Sequence, residues 1–146
     1  MSQLHFPLAQ DTSGTRPTRQ LRMLLVEDSP IILAYLLDNF KSDGWYEEII
    51  SAGTEAEALL LLNGARLFDV AIVDIQLAQG TGLGVIRQLR NSVSKTAYVI
   101  VLTNFSLPVY EQAARAVGAD EFLDKSKDFH RLQKLIRLRF PLQTRS

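Results

Sequence analysis

From Leu21 onward, short apolar runs alternate with longer segments whose apolar residues recur at helical spacing. That alternation is the pattern of repeated βα units around a mainly parallel sheet. Five units can be counted, with strand segments at 23–26, 48–52, 70–74, 98–103 and 121–123. Three of them are apolar almost throughout, as strands covered on both faces are. Among the helices, Leu33, Leu36, Leu37 and Phe40 share one face behind Pro30, a residue suited to a first turn. Thr54 and Glu57 have the spacing of a capping box, ahead of an inner stripe of Ala58, Leu61 and Leu62. A third helix carries Leu83, Ile86 and Leu89. A fourth is expected over 108–117, with Gly118 where a left-handed residue closes a helix. The last carries Phe129, Leu132 and Ile136.

A chain of 146 residues with 47% apolar composition has room for one ordinary domain and a real core. Sixteen basic residues balance sixteen acidic ones, so no global field draws it to nucleic acid or anionic membranes. The absence of cysteine excludes disulfides, thiolate zinc sites and thiol catalysis. No apolar stretch approaches the roughly 20 residues of a membrane span, and no secretory signal opens the chain. A soluble, cytoplasmic protein is therefore expected. Residues 1–20 are polar, carry Pro7, Gly14 and Pro17, and read as an N-terminal tail. Arg16, Arg19 and Arg22 lack interleaved aromatics, which favours solvated charges over a phosphate contact. The folded domain is expected over 21–140 and a short C-terminal tail over 141–146, with no DNA-binding or other output domain after Phe140.

In an open parallel sheet, ligands sit at the carboxyl ends of the strands. The polar residues standing there are Glu27 and Asp28 after strand one, Asp74 ending strand three, Thr103 ending strand four, and Asp124 and Lys125 after strand five. Carboxylates crowded at one rim repel, and a hard divalent cation with oxygen ligands is the cheapest remedy, Mg2+ being the natural candidate. A carboxylate can also attack phosphorus to give an aspartyl phosphate. A metal and an ammonium would neutralise the transferring group, and a hydroxyl could donate to the product.

Taken together, the segments Leu24-Leu25-Val26-Glu27-Asp28, Val73-Asp74-Ile75-Gln76-Leu77 with Gly82 eight residues past the Asp, Val101-Leu102-Thr103 and Asp124-Lys125 resemble the receiver domain of bacterial two-component response regulators. The resemblance covers roughly residues 21–140, and the joint presence of five motif positions makes it specific. It implies an α/β fold of the flavodoxin-like, doubly wound (βα)5 type, a five-stranded parallel sheet in strand order 2-1-3-4-5. It further implies that Asp74 is the phosphoacceptor and that Glu27, Asp28, Asp74 and the Gln76 backbone carbonyl hold Mg2+. Thr103 and Phe122 match the switch pair, and Lys125 the phosphoryl-contacting lysine. The partners implied are a sensor histidine kinase or histidine phosphotransfer protein, a target protein on the face of helix 4, strand 5 and helix 5, and a second copy in a homodimer. A stand-alone receiver is the expected form, a regulator and not an enzyme.

Three positions depart from the family pattern. Ala78 stands where the loop usually has proline, which should loosen that loop. Ser126 replaces a proline commonly preceded by a cis bond, so a trans bond is expected, with Ser126 free to cap the last helix. Asn104 replaces the small residue that usually follows the switch Thr, and its bulk is expected to obstruct phosphoryl transfer and water, making it an access-modulating residue.

Other readings of these residues are weaker. Asp74, Thr103 or Lys125 alone would be an ordinary capping, strand or solvated residue; Phe122 suits simple packing as well as switching. The stretch Gly80-Thr81-Gly82-Leu83-Gly84 lacks a dinucleotide fingerprint and reads as the start of a helix. His5 and His130 are isolated. An Asp-nucleophile phosphohydrolase would want a second Asp where Gln76 stands. A flavodoxin-type binder would want a neutral loop in place of Glu27-Asp28. A degenerate receiver acting as a constitutive binding module would not need the intact acidic set.

Overall fold

The computed structural model describes residues 19–140, together with the backbone of Gln3–Leu4, Arg16–Pro17 and Leu142–Gln143. Expectations about the two tails and His5 lie largely outside the described residues. Five βα units follow in order: β1 (Leu21–Val26), α1 (Pro30–Lys41), β2 (Tyr46–Ala52), α2 (Glu55–Leu62), β3 (Val70–Val73), α3 (Gly82–Leu89), β4 (Tyr98–Thr103), α4 (Pro108–Val117), β5 (Glu121–Asp124) and α5 (Leu132–Arg139). The five strands are parallel in the order β2-β1-β3-β4-β5, as expected, and Gln3–Leu4 adds a short antiparallel pairing outside β2. A separate two-residue ladder joins Arg16–Pro17 to Leu142–Gln143.

Strand alternation divides the core in two. Leu24, Val26, Ala71, Val73, Val99 and Val101 face one layer, where they pack with Ala58, Leu62, Val85, Ile86, Leu89 and Ala114 of α2, α3 and α4. Met23, Leu25, Val70, Ile72, Ile100 and Leu102 face the other, against Leu36 and Phe40 of α1 and Leu132 and Ile136 of α5. Covering both faces explains why these strands read as unbroken apolar runs. Each fully buried Leu or Ile in these layers contributes roughly 1.5–3 kcal/mol.

The helix boundaries follow their local chemistry. Ser29 caps α1 by accepting from Ile32 N–H at 3.3 Å, and Pro30 occupies the first turn, where its missing donor costs nothing. Thr54 accepts from Glu57 N–H at 3.1 Å, and Glu57 reaches back to Gly53 N–H at 2.7 Å, one residue earlier than in the usual reciprocal box. Gly118 ends α4 at φ 118°, a left-handed conformation that glycine adopts without strain. Ser126 does not cap the last helix. That helix is preceded by a 3-10 turn, Phe129–Arg131, and Ser126 instead gives both its N–H (2.7 Å) and its hydroxyl (2.5 Å) to Asp124 Oδ1. A charged acceptor two residues away outcompetes a neutral helix terminus. The peptide bonds are trans among the described residues.

Candidate functional site

The sheet register brings the acidic residues together. Val26 pairs with Val73 and Val73 with Val101, so the residues that follow emerge side by side at one rim. The ladder runs on past the strands: Glu27 N–H donates to Ala52 O at 3.0 Å, Asp74 N–H to Val26 O at 3.0 Å and Lys125 N–H to Thr103 O at 2.9 Å. These bonds fix the backbones of all three charged residues.

At that rim Lys125 Nζ lies 2.7 Å from Glu27 Oε1 and 2.7 Å from Asp74 Oδ2, with all three side chains buried. Glu27 accepts a further bond from Ser29 N–H at 3.0 Å, and Asp74 Oδ1 one from Gln76 N–H at 3.2 Å. Burial pushes the Glu27 carboxyl above its usual range, opposed by the Lys125 ammonium. For Lys125, burial works against the charge, but the bonds to Asp74 and Glu27 outweigh it and its pKa is raised. Asp28, half-buried, has no such cation among the described residues: its Oδ2 is held by Ala78 N–H at 2.6 Å. Carboxylate oxygens of Glu27, Asp28 and Asp74 lie within 4.8 Å of one another, a spacing that one cation can bridge. Three hard oxygen donors against one ammonium leave excess negative charge, so the donor set fits a divalent metal.

The remaining expected residues are arranged around this cluster. Thr103 is fully buried at the end of β4, and its hydroxyl accepts from Phe105 N–H at 3.2 Å, within its own loop. Phe122, on β5, is partly buried against the α2–α4 layer. The Asn104 and Gln76 side chains are exposed. Gln76 bridges to Thr81 across the loop after β3, and Thr81 caps α3 by accepting from Leu83 N–H. Gly82 is essential to the packing there: a Cβ would overlap the Asp74 carbonyl oxygen. Its N–H donates to Ile75 O at 2.9 Å.

Two further contacts at the rim are not marked by any motif in the sequence. Glu55, at the start of α2, accepts from Thr81 N–H at 2.9 Å and donates its own N–H to Gln79 O at 3.2 Å. Asp124 accepts from Ser106 Oγ at 2.6 Å, tying the β4–α4 loop to the loop after β5. The latter could have been suspected from Asp124 adjoining Lys125; the former leaves no local trace.

The family model for the response regulator receiver domain matches residues 23–137. The chain belongs to that family. Phosphorylation on Asp is characteristic of receiver domains, which are regulatory signalling modules of two-component systems. This receiver is 30% identical over 117 residues to the response regulator protein PmrA of Pseudomonas aeruginosa, covering 80% of this chain and 51% of PmrA. It is 32% identical over 95 residues to the sensor protein TorS of Escherichia coli, covering 65% of this chain and 10% of TorS. The chain thus spans about half or less of those two relatives. Among solved structures, the Vibrio cholerae chemotaxis protein CheY4 superposes with a TM-score of 0.72 at 28% identity, covering 82% of this chain and 98% of that one. The receiver domain of the sensor histidine kinase PA1611 of P. aeruginosa, solved with a magnesium ion in its active site cleft, has a TM-score of 0.71 at 20% identity, covering 82% and 97%. No helix among the described residues of the receiver is long and apolar enough to cross a membrane.

Proposed function

We propose that this receiver accepts a phosphoryl group on Asp74 from a histidine kinase or histidine phosphotransfer protein, with Mg2+ held at the same rim, and switches a protein-binding surface in response. The observation that carries the reading is the Lys125 ammonium set between the Asp74 and Glu27 carboxylates, with Asp28 alongside. Glu27, Asp28, Asp74 and the Gln76 carbonyl would hold the metal, which supplies charge neutralisation at the phosphoryl oxygens when bound. An Asp74 carboxylate oxygen attacks phosphorus, the bond from phosphorus to the donor nitrogen breaks, and the imidazole leaves with the electron pair. Lys125, already 2.7 Å from Asp74, exchanges that contact for one to the new phosphoryl group. The Thr103 hydroxyl then leaves Phe105 N–H to donate to the product, and the β4–α4 loop moves with it. Phe122, on neighbouring β5, adjusts its packing, and the face of α4, β5 and α5 presents the altered surface to a target. Gln76 supplies no acid for a leaving group, which favours this reading over phosphohydrolysis.

The test is mass change on exposure to a small acyl phosphate. One phosphoryl adduct is expected with Mg2+, little without it, and none for Asp74→Asn. A stable adduct on Asp74→Asn would place the acceptor elsewhere.

A further inference from the structure

Of the three clustered carboxylates, Glu27 and Asp74 share the Lys125 ammonium, and no ion pair among the described residues involves Asp28. Asp28 is instead held by Ala78 N–H at 2.6 Å, short for an N–H donor, and bonds to a charged acceptor are the shorter and stronger kind. That donor exists only because residue 78 is not proline, which has no N–H. The geometry points to Ala78 as a positioning residue whose backbone amide orients Asp28 for the divalent cation, an inference that rests on the metal reading above.

An amide can direct a carboxylate only if something other than that carboxylate holds it, and here Glu55 does so. The loop after β3 is pinned on its far flank, where Glu55 takes Thr81 N–H and gives its own N–H to Gln79 O. Gly80, at φ 86°, and Gly84 lie so close to Glu55 that any side chain on either would collide with its carboxylate. Ala78 therefore sits between two anchors, Asp74 and Ile75 at the strand end and Glu55 beyond, and its amide is a fixed point to which Asp28 conforms. The loop that loss of proline was expected to loosen has gained a hydrogen bond instead. A hydrogen-bonded ligand keeps one orientation and gives up less freedom when the cation arrives.

The experiment is a Mg2+ titration of the full chain followed by amide NMR, comparing the unaltered protein with Ala78→Pro and Ala78→Ser. Ala78→Pro removes the donor and should bind Mg2+ about tenfold more weakly, the lower end of what partners of metal ligands contribute. Ala78→Ser keeps the N–H and should stay within about twofold of the unaltered protein. Equal affinity in Ala78→Pro, or tighter binding there, would overturn the positioning role while leaving the metal reading intact. No Mg2+-dependent shift in the unaltered protein would overturn both. Should Ala78→Pro fail to fold, amide exchange of Ala78 in the unaltered protein decides. Protection that rises on adding Mg2+ supports the proposal, and exchange at the rate of a free amide in both states refutes it.

Discussion

Lys125 Nζ lies 2.7 Å from Asp74 Oδ2, and the two side chains are equally buried at the rim of the sheet. Removing one partner of such a pair leaves the other's charge uncompensated, and here it leaves three crowded carboxylates with no cation between them. Lys125→Met should therefore lower stability in metal-free buffer by about 3 kcal/mol. Urea denaturation checks this. An unchanged midpoint would mean that the ammonium does not neutralise the cluster.

Ser106 and Ser126 both donate to Asp124, and these bonds, Ser106 first, lower its pKa from 3.8 to about 2. A carboxyl depressed on folding stabilises the native state above its unfolded pKa, and that contribution fades as pH falls from about 4 toward 2. Ser106→Ala should move the Asp124 titration upward, toward 3.8. Carboxyl carbon NMR reads the shift, and an unmoved titration would remove Ser106 as its cause.

Arg90 brackets the ends of two elements. It donates to Gly118 O at the C-terminus of α4, to Lys95 O and Ala97 O before β4, and to Asp120. Arg90→Met strands several of these acceptors and should cost about 3 kcal/mol. Chemical denaturation measures it, and Asp120→Ala, which spares the carbonyl contacts, should cost clearly less.

Thr103→Ala should still take up a phosphoryl group, because the hydroxyl is assigned to reading the product and not to attacking phosphorus. Amide exchange in α4 and β5 before and after phosphorylation should change far less than in the unaltered protein. An undiminished response would refute the switch role.

Asn104 follows Thr103 at the rim with its side chain exposed. If its bulk obstructs approach to Asp74, Asn104→Ala should raise both phosphorylation by a small acyl phosphate and loss of the phosphoryl group by roughly threefold, about 0.7 kcal/mol on each barrier. Slower hydrolysis would instead mean that the amide orients the attacking water.

The central strands were legible because both of their faces are buried, which leaves an unbroken apolar signal at 70–73 and 98–102. The rim residues were legible because parallel register carries every strand end to one side. Long-range side-chain bonds to backbone were not. Glu55 and Arg90 act on carbonyls and amides 24 or more residues away, and no periodicity or spacing marks such a pairing, save at the short reach from Arg90 to residues 95 and 97. At Ala78 the lost proline rigidity is readable from the sequence, whereas the donor gained becomes visible only once Asp28 is known to lie opposite. The place of Ser126 is hidden for a related reason, since nothing in the sequence shows that its motif neighbour Asp124 competes for its hydroxyl.

The contact between Gly82 and the Asp74 carbonyl has a mechanical consequence. With no room for even one methyl group between them, and with Gly82 N–H bonded to Ile75 O, the start of α3 and the end of β3 are welded into one piece. Strain created at Asp74 has no slack to relax into on that side. The compliant side is the opposite one, where residues 104–107 are exposed and are tethered through Thr103 and Asp124 by single hydrogen bonds. The asymmetry gives the molecule a stiff anvil and a soft hinge, and so a direction in which a push at the rim can travel.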